Sequence, residues 1–95
     1  MSMNTYIRVR WLHDLDDEPV DLWSELDGER FEMRKLEAFR DGRVGFASAT
    51  ESAHGTQLGS IPVPPLNEIA REPEFAPEEV SQEAFEIRWN NRHAR

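Results

Sequence analysis

Val20-Asp-Leu-Trp-Ser-Glu-Leu-Asp-Gly28 runs into Phe31-Glu-Met-Arg-Lys-Leu-Glu-Ala-Phe39 and then into Asp41-Gly-Arg-Val-Gly-Phe-Ala47. In the first piece Val20, Leu22 and Leu26 fall on one side, with Asp21, Trp23, Glu25 and Asp27 on the other. That period of two predicts a half-buried strand. Asp27-Gly28 is a hairpin signal, because a type I′ turn needs positive φ and glycine adopts it without a steric penalty. The second piece places Phe31, Met33 and Phe39 on one face and Leu36 and Ala38 on the other. A change of face partway along predicts a bulge, or a strand covered in part on both sides. Asp41-Gly42 marks a second hairpin, and Val44–Ala47 the strand after it. For residues 29–40 a helix stands as the alternative, since Glu, Arg, Lys and Leu all favour one. The Asp-Gly pairs at both ends favour the strand.

Working outward, Tyr6 to His13 alternates as well, with Ile7, Val9 and Trp11 opposite Arg8, Arg10 and Leu12. The expected fold is therefore α+β: a four-stranded antiparallel meander over about residues 5–50, with a C-terminal helix packed on one face. The remainder, about residues 51–92, reads as a loop, a proline-rich segment and helices. Thr50 to Ser60 is polar and punctuated by glycine. Ile61-Pro-Val-Pro-Pro65 must be extended, because proline holds its own φ and moves the preceding residue out of the α region. Leu66 to Glu72 has room for a short helix stopped by Pro73. Ser81 is placed to cap a helix from Gln82 to about Asn91, with Val80 and Phe85 as a hydrophobic staple. Phe85 and Trp89 then lie one turn apart, facing the sheet.

The 95 residues are expected to form one domain, 1–95, with a thin core, since a chain this size buries only ~60–65% of its unfolded surface. There is no cysteine, which excludes disulfides, thiolate metal sites and a cysteine nucleophile. No run approaches the ~20 apolar residues that span a bilayer, so no membrane partner is expected and the location is expected to be cytoplasmic. A net charge of −8 argues against nucleic acid and favours a basic protein partner. The charge is unevenly spread. Asp14 to Glu29 holds eight carboxylates and no Lys or Arg, and Glu68 to Glu86 has Arg71 as its one basic residue.

No serine sits in a nucleophile context, the histidines His13, His54 and His93 are scattered, and the glycines fit neither a dinucleotide nor a P-loop spacing. Neither a catalytic residue nor a cofactor is expected. His13, Asp14, Asp16, Asp17 and Glu18 offer one imidazole and four carboxylates, the donors that a metal-dependent enzyme would use. A calcium loop, however, needs glycine where Pro19 stands, and a solvated acidic turn is the plainer reading. Trp23 shares its strand face with Asp21 and Glu25, a composition suited to an interface anchor with a charged surround. The competing reading is that the C-terminal helix covers that face. His54, in Ala-His-Gly-Thr, is either a recognition side chain or simply exposed.

Arg10-Trp-Leu-His-Asp14, Ser24-Glu-Leu-Asp-Gly-Glu-Arg30, Arg34-Lys-Leu-Glu37, Phe39-Arg-Asp-Gly-Arg43 and Ile61-Pro-Val-Pro-Pro65 form a set that resembles a bacterial family of uncharacterised small domains. The likeness covers roughly Tyr6 to Trp89 and brings no catalytic residues with it. It implies a stand-alone cytoplasmic protein. By analogy with many small acidic bacterial proteins, it implies an immunity protein that neutralises the toxin domain of a polymorphic toxin. The expected partner is a toxin with a basic cleft, an ADP-ribosyltransferase or a nuclease, bound as a heterodimer by an otherwise monomeric chain. The residues expected to bind it are Asp14, Asp16, Asp17, Glu18, Asp21, Trp23, Glu25 and His54. A small metal-dependent enzyme centred on His13 and an acidic adaptor or nucleic-acid mimic are the alternatives. The binding reading requires uncompensated carboxylates, and their pairing with Arg8, Arg34 or Arg40 would overturn it.

Overall fold

The computed structural model describes residues 3–93. Six strands form one antiparallel sheet: β1 (Thr5–Trp11), β2 (Pro19–Leu26), β3 (Glu32–Phe39), β4 (Val44–Ala47), β5 (Ser52–Ala53) and β6 (Phe75–Val80). Two short helices, α1 (Leu66–Ile69) and α2 (Gln82–Asn90), complete the fold. The strand order is β5-β4-β3-β2-β1-β6. This corrects the expected four-stranded meander with a C-terminal helix on one face: the sheet has six strands, and the short helix expected from Leu66 is present as α1. Phe75-Ala-Pro-Glu-Glu-Val80 pairs antiparallel with β1, Trp11 opposite Phe75 and Tyr6 opposite Val80, and occupies an edge that a four-stranded meander would leave open. Residues 29–40 supply strand, not helix.

Both hairpins use three-residue loops. The Asp27 N–H donates to Phe31 O and the Arg30 N–H to Asp27 O; Phe39, Arg43 and Gly42 repeat the pattern around the second turn. Each loop ends in a left-handed residue, Gly42 at φ 97° and Arg30 at φ 70°. Gly28 is not the left-handed residue that the Asp-Gly signal suggests. The Asp27 carboxylate instead accepts from the Glu29 and Phe31 N–H groups. Arg30, strained in a region that favours glycine, sends its guanidinium to Val63 O and Pro64 O at 2.7 and 2.8 Å.

The sheet is covered on both sides. One face carries Tyr6, Trp23, Leu36 and Phe46, which pack with Phe85 and Trp89 of α2 to make the core. Phe85 is fully buried, with Tyr6 at 5.4 Å and Trp89 at 6.3 Å between ring centroids. Ser81 caps α2 by accepting the Ala84 N–H. The β2–β3 register shifts between Pro19 and Asp21 and between Glu25 and Leu26, at the two ends of the ladder, and is regular between Arg34 and Ala38, where the change of face suggests a bulge. The opposite face carries Ile7, Val9, Leu22 and Ser24, and residues 56–72 run across it. That segment is held by Thr56 Oγ1 donating to Glu37, Gly59 N–H to Glu32, and the Arg30 clamp on Val63 and Pro64. Among the described residues, no helix is long and apolar enough to cross a membrane.

Candidate functional site

The loop between β1 and β2 presents Asp14, Asp16, Asp17 and Glu18, all exposed. None of the four forms an ion pair among the described residues. The loop backbone, by contrast, is tied down. Arg40 donates to Leu15 O at 3.1 Å and to His13 O at 2.6 Å. His13 Nδ1 accepts the Leu15 N–H at 2.9 Å, which leaves the ring proton on Nε2 to be donated to Pro19 O at 2.8 Å. The His13 ring also packs edge-on to Trp11 at 4.3 Å. The Arg40 guanidinium therefore goes to the main chain, and the four carboxylates stay open to solvent. Beside the loop, Asp16, Asp17, Arg40, Asp41 and Arg43 border an open cleft of about 370 Å³. Asp41 is held below the usual carboxylate range, first by the Arg43 backbone N–H and then by its side chain.

The strand carboxylates of the same sequence stretch are placed differently. Arg8 makes a two-pronged contact with Asp21 at 2.9 and 2.8 Å. Glu25 accepts from Arg34 Nε at 2.6 Å, Tyr6 Oη at 2.7 Å and Asn4 at 3.2 Å. Burial alone would raise the Glu25 carboxyl, but the hydrogen bonds from Arg34, Tyr6 and Asn4 outweigh it and hold it below its ordinary value. Arg34 continues to Glu86 of α2 at 3.1 and 2.6 Å and lies over the Phe85 and Trp89 rings. It thereby bolts β3 to α2. Trp23 is 6% exposed, lies in the core under α2, and has the Arg8 and Arg88 guanidinium groups 5.2 and 4.8 Å from its ring. Its Nε1 is buried without a hydrogen-bond partner among the described residues.

A family model matches residues 5–94, nearly the whole chain. The chain belongs to the family described as Domain of unknown function (DUF6881). No curated protein and no solved structure matches it.

Within this DUF6881 domain the eight residues expected to bind a partner separate into three places. Asp14, Asp16, Asp17 and Glu18 stay together on the exposed loop. Asp21, Trp23 and Glu25 lie on the helix-covered face, two of them ion-paired and the third buried, so they do not extend the loop surface. His54 sits in a left-handed turn after β5 at φ 58°, exposed at the sheet edge opposite β6, and does not join the acidic loop. The His13 metal alternative meets a geometric obstacle, since both ring nitrogens are engaged with the main chain. No group of three His, Asp or Glu side chains among the described residues is placed to hold an ion. Sequence reasoning missed the role of Arg40, because donation to backbone carbonyls leaves no residue pattern to find. It also missed a groove on the second sheet face, which is assembled from β1, β2 and a segment forty residues downstream.

Proposed function

We propose that this domain binds a basic protein partner through the loop bearing Asp14, Asp16, Asp17 and Glu18. The finer reading is a bacterial cytoplasmic immunity protein that occludes the cationic cleft of a cognate toxin. The observation that carries the binding reading is the division of labour in the loop. Arg40 and His13 fix its backbone through carbonyl and amide contacts, while its four carboxylates remain unpaired. A loop fixed before binding loses little conformational freedom on docking. Exposed carboxylates accelerate encounter with a basic partner, to ~10⁸ M⁻¹s⁻¹ at low salt where the field is strong, and Arg40 and Arg43 beside the loop offset part of that field. Asp21 and Glu25 pair with Arg8 and Arg34, the outcome set against the binding reading for those two residues, so the reading rests on the four loop carboxylates alone.

The toxin assignment is supported by the acidity of the loop and by the small-protein analogy. A cleft that accommodates a nucleic acid or a dinucleotide phosphate must be basic, and a carboxylate loop is its electrostatic complement. The test has two steps. Affinity capture from the native cells should recover a stoichiometric protein with a basic catalytic domain, and recovery of the bait alone would count against a protein partner. With that partner in hand, replacing Asp16, Asp17 and Glu18 together with Lys should slow association at least tenfold at low salt and leave the folded spectrum unchanged. An unchanged association rate would remove the steering role.

A further inference from the structure

The face of the sheet opposite α2 has an apolar floor that its cover does not fill. Ile7, Val9, Leu22 and Ser24 line the bottom of a cavity of about 390 Å³, with Val63, Ile69 and Phe75 along its walls. Val9 and Leu22 stay partly exposed, although a domain this small has few apolar residues to leave outside its core. The cover cannot simply collapse onto them. The Arg30 side chain and main chain pin residues 63–64 at one end, and Glu72 O accepts the Phe75 N–H at the other. Pro64 and Pro65 stiffen the stretch between. The void is thus held open by its own walls, and its size is that of a small-ligand site.

The charges around it that no partner offsets are negative. At the polar end Glu32 and Lys35 neutralise each other at 3.4 Å, and Lys35 also reaches Glu37 and Gln57 O. At the α1 end Glu68 and Glu72 line the cavity, are exposed, and form no ion pair among the described residues. We propose that this groove is a binding site for a small amphipathic cation, with its apolar body over Val9 and Leu22 and its ammonium group between Glu68 and Glu72. The site is separate from the acidic loop and does not depend on a protein partner.

The test uses the whole protein and n-octylamine below its aggregation limit, with 1-octanol and octanoate as matched probes. Amide chemical shifts are followed by two-dimensional NMR. The amine should shift the amides of Ile7, Val9, Leu22, Ser24 and Ile69 with saturation, and bind more tightly than the alcohol, with the acid weakest. Glu68→Gln with Glu72→Gln changes only exposed side chains and should weaken the amine about fivefold, with little effect on the alcohol. Equal binding of all three probes would overturn the cationic class. So would amine shifts confined to residues 14–18, which report nonspecific attraction to the acidic loop. Absence of saturable binding by any probe would overturn the site itself.

Discussion

Tyr6 and Glu25 form a pair whose ionisation can be read directly, because the chain has a single tyrosine. Burial, then the hydrogen bond and the charge of Glu25, push the Tyr6 hydroxyl up to about 12. A raised folded value means that the stabilisation is complete below the ordinary tyrosine value of about 10 and is lost as pH rises from there toward 12. Phenolate absorbance during an alkaline titration should therefore rise near 12 in the folded protein and near 10 in denaturant. Glu25→Gln should bring the folded midpoint part of the way back, since burial, the largest cause, stays. A midpoint unmoved by Glu25→Gln would show that the hydrogen bond has no influence on the hydroxyl. The sign reverses for Glu25. Its folded value is depressed, so its contribution is present above the ordinary glutamate range and disappears as acid protonates the folded carboxyl. Trp23 belongs to the same neighbourhood. Its company of carboxylates was legible in the sequence, but those carboxylates meet arginines on neighbouring strands: the register sets Arg34 opposite Glu25, and Arg8, opposite Trp23, reaches diagonally to Asp21.

Gly45 in β4 shows how closely the second layer approaches the sheet. A Cβ there would run into the Thr56 side chain and come within 3.2 Å of Ala53 O. Thr56 is buried and donates to Glu37, so it cannot move aside without losing that bond. Gly45→Ala should cost about 1–3 kcal/mol, measured from urea midpoints at constant slope. A loss below about 0.5 kcal/mol would mean that residues 56–72 pack loosely on the sheet. The hairpin strands were legible because their apolar residues alternate between Asp-Gly turns. β6 was not, for a physical reason. It is an edge strand in which Pro77, Glu78 and Glu79 interrupt the alternation, and those residue types keep an exposed edge from pairing with other chains. The features that protect the edge are the ones that hide the strand. β5, two residues long, pairs only through Phe46–Ala53 and Ala47–Ser52 and is too short to carry a period. The groove was invisible for a different reason, since no local pattern records that Arg30 will hold Val63 and Pro64 away from Val9 and Leu22.

For the molecule as a whole, the net charge of −8 acts on stability and on association in opposite directions. In the first acidic stretch Asp21 and Glu25 are paired, to Arg8 and Arg34, and tie neighbouring strands together, with Arg34 carrying the link on to Glu86 of α2. The loop half is unpaired and adds repulsion between neighbouring carboxylates that salt can screen. If that loop exists to meet a basic partner, the repulsion is a stability cost retained for binding. Replacing Asp16 and Asp17 with Asn and Glu18 with Gln keeps shape and hydrogen bonding while removing three charges. The neutral variant should melt roughly 2–4 °C higher than the parent at low salt, and the gap should close as salt approaches physiological strength. Its association with the captured partner should slow, while its dissociation rate stays nearly constant. A variant that melts lower would show that the loop carboxylates stabilise the fold, which the unpaired arrangement does not predict. Arg40→Met tests the loop's order. It leaves the carboxylates in place but removes both the backbone clamp and a cation beside Asp16 and Asp17, so it should weaken binding through conformational freedom while steepening the salt dependence of association.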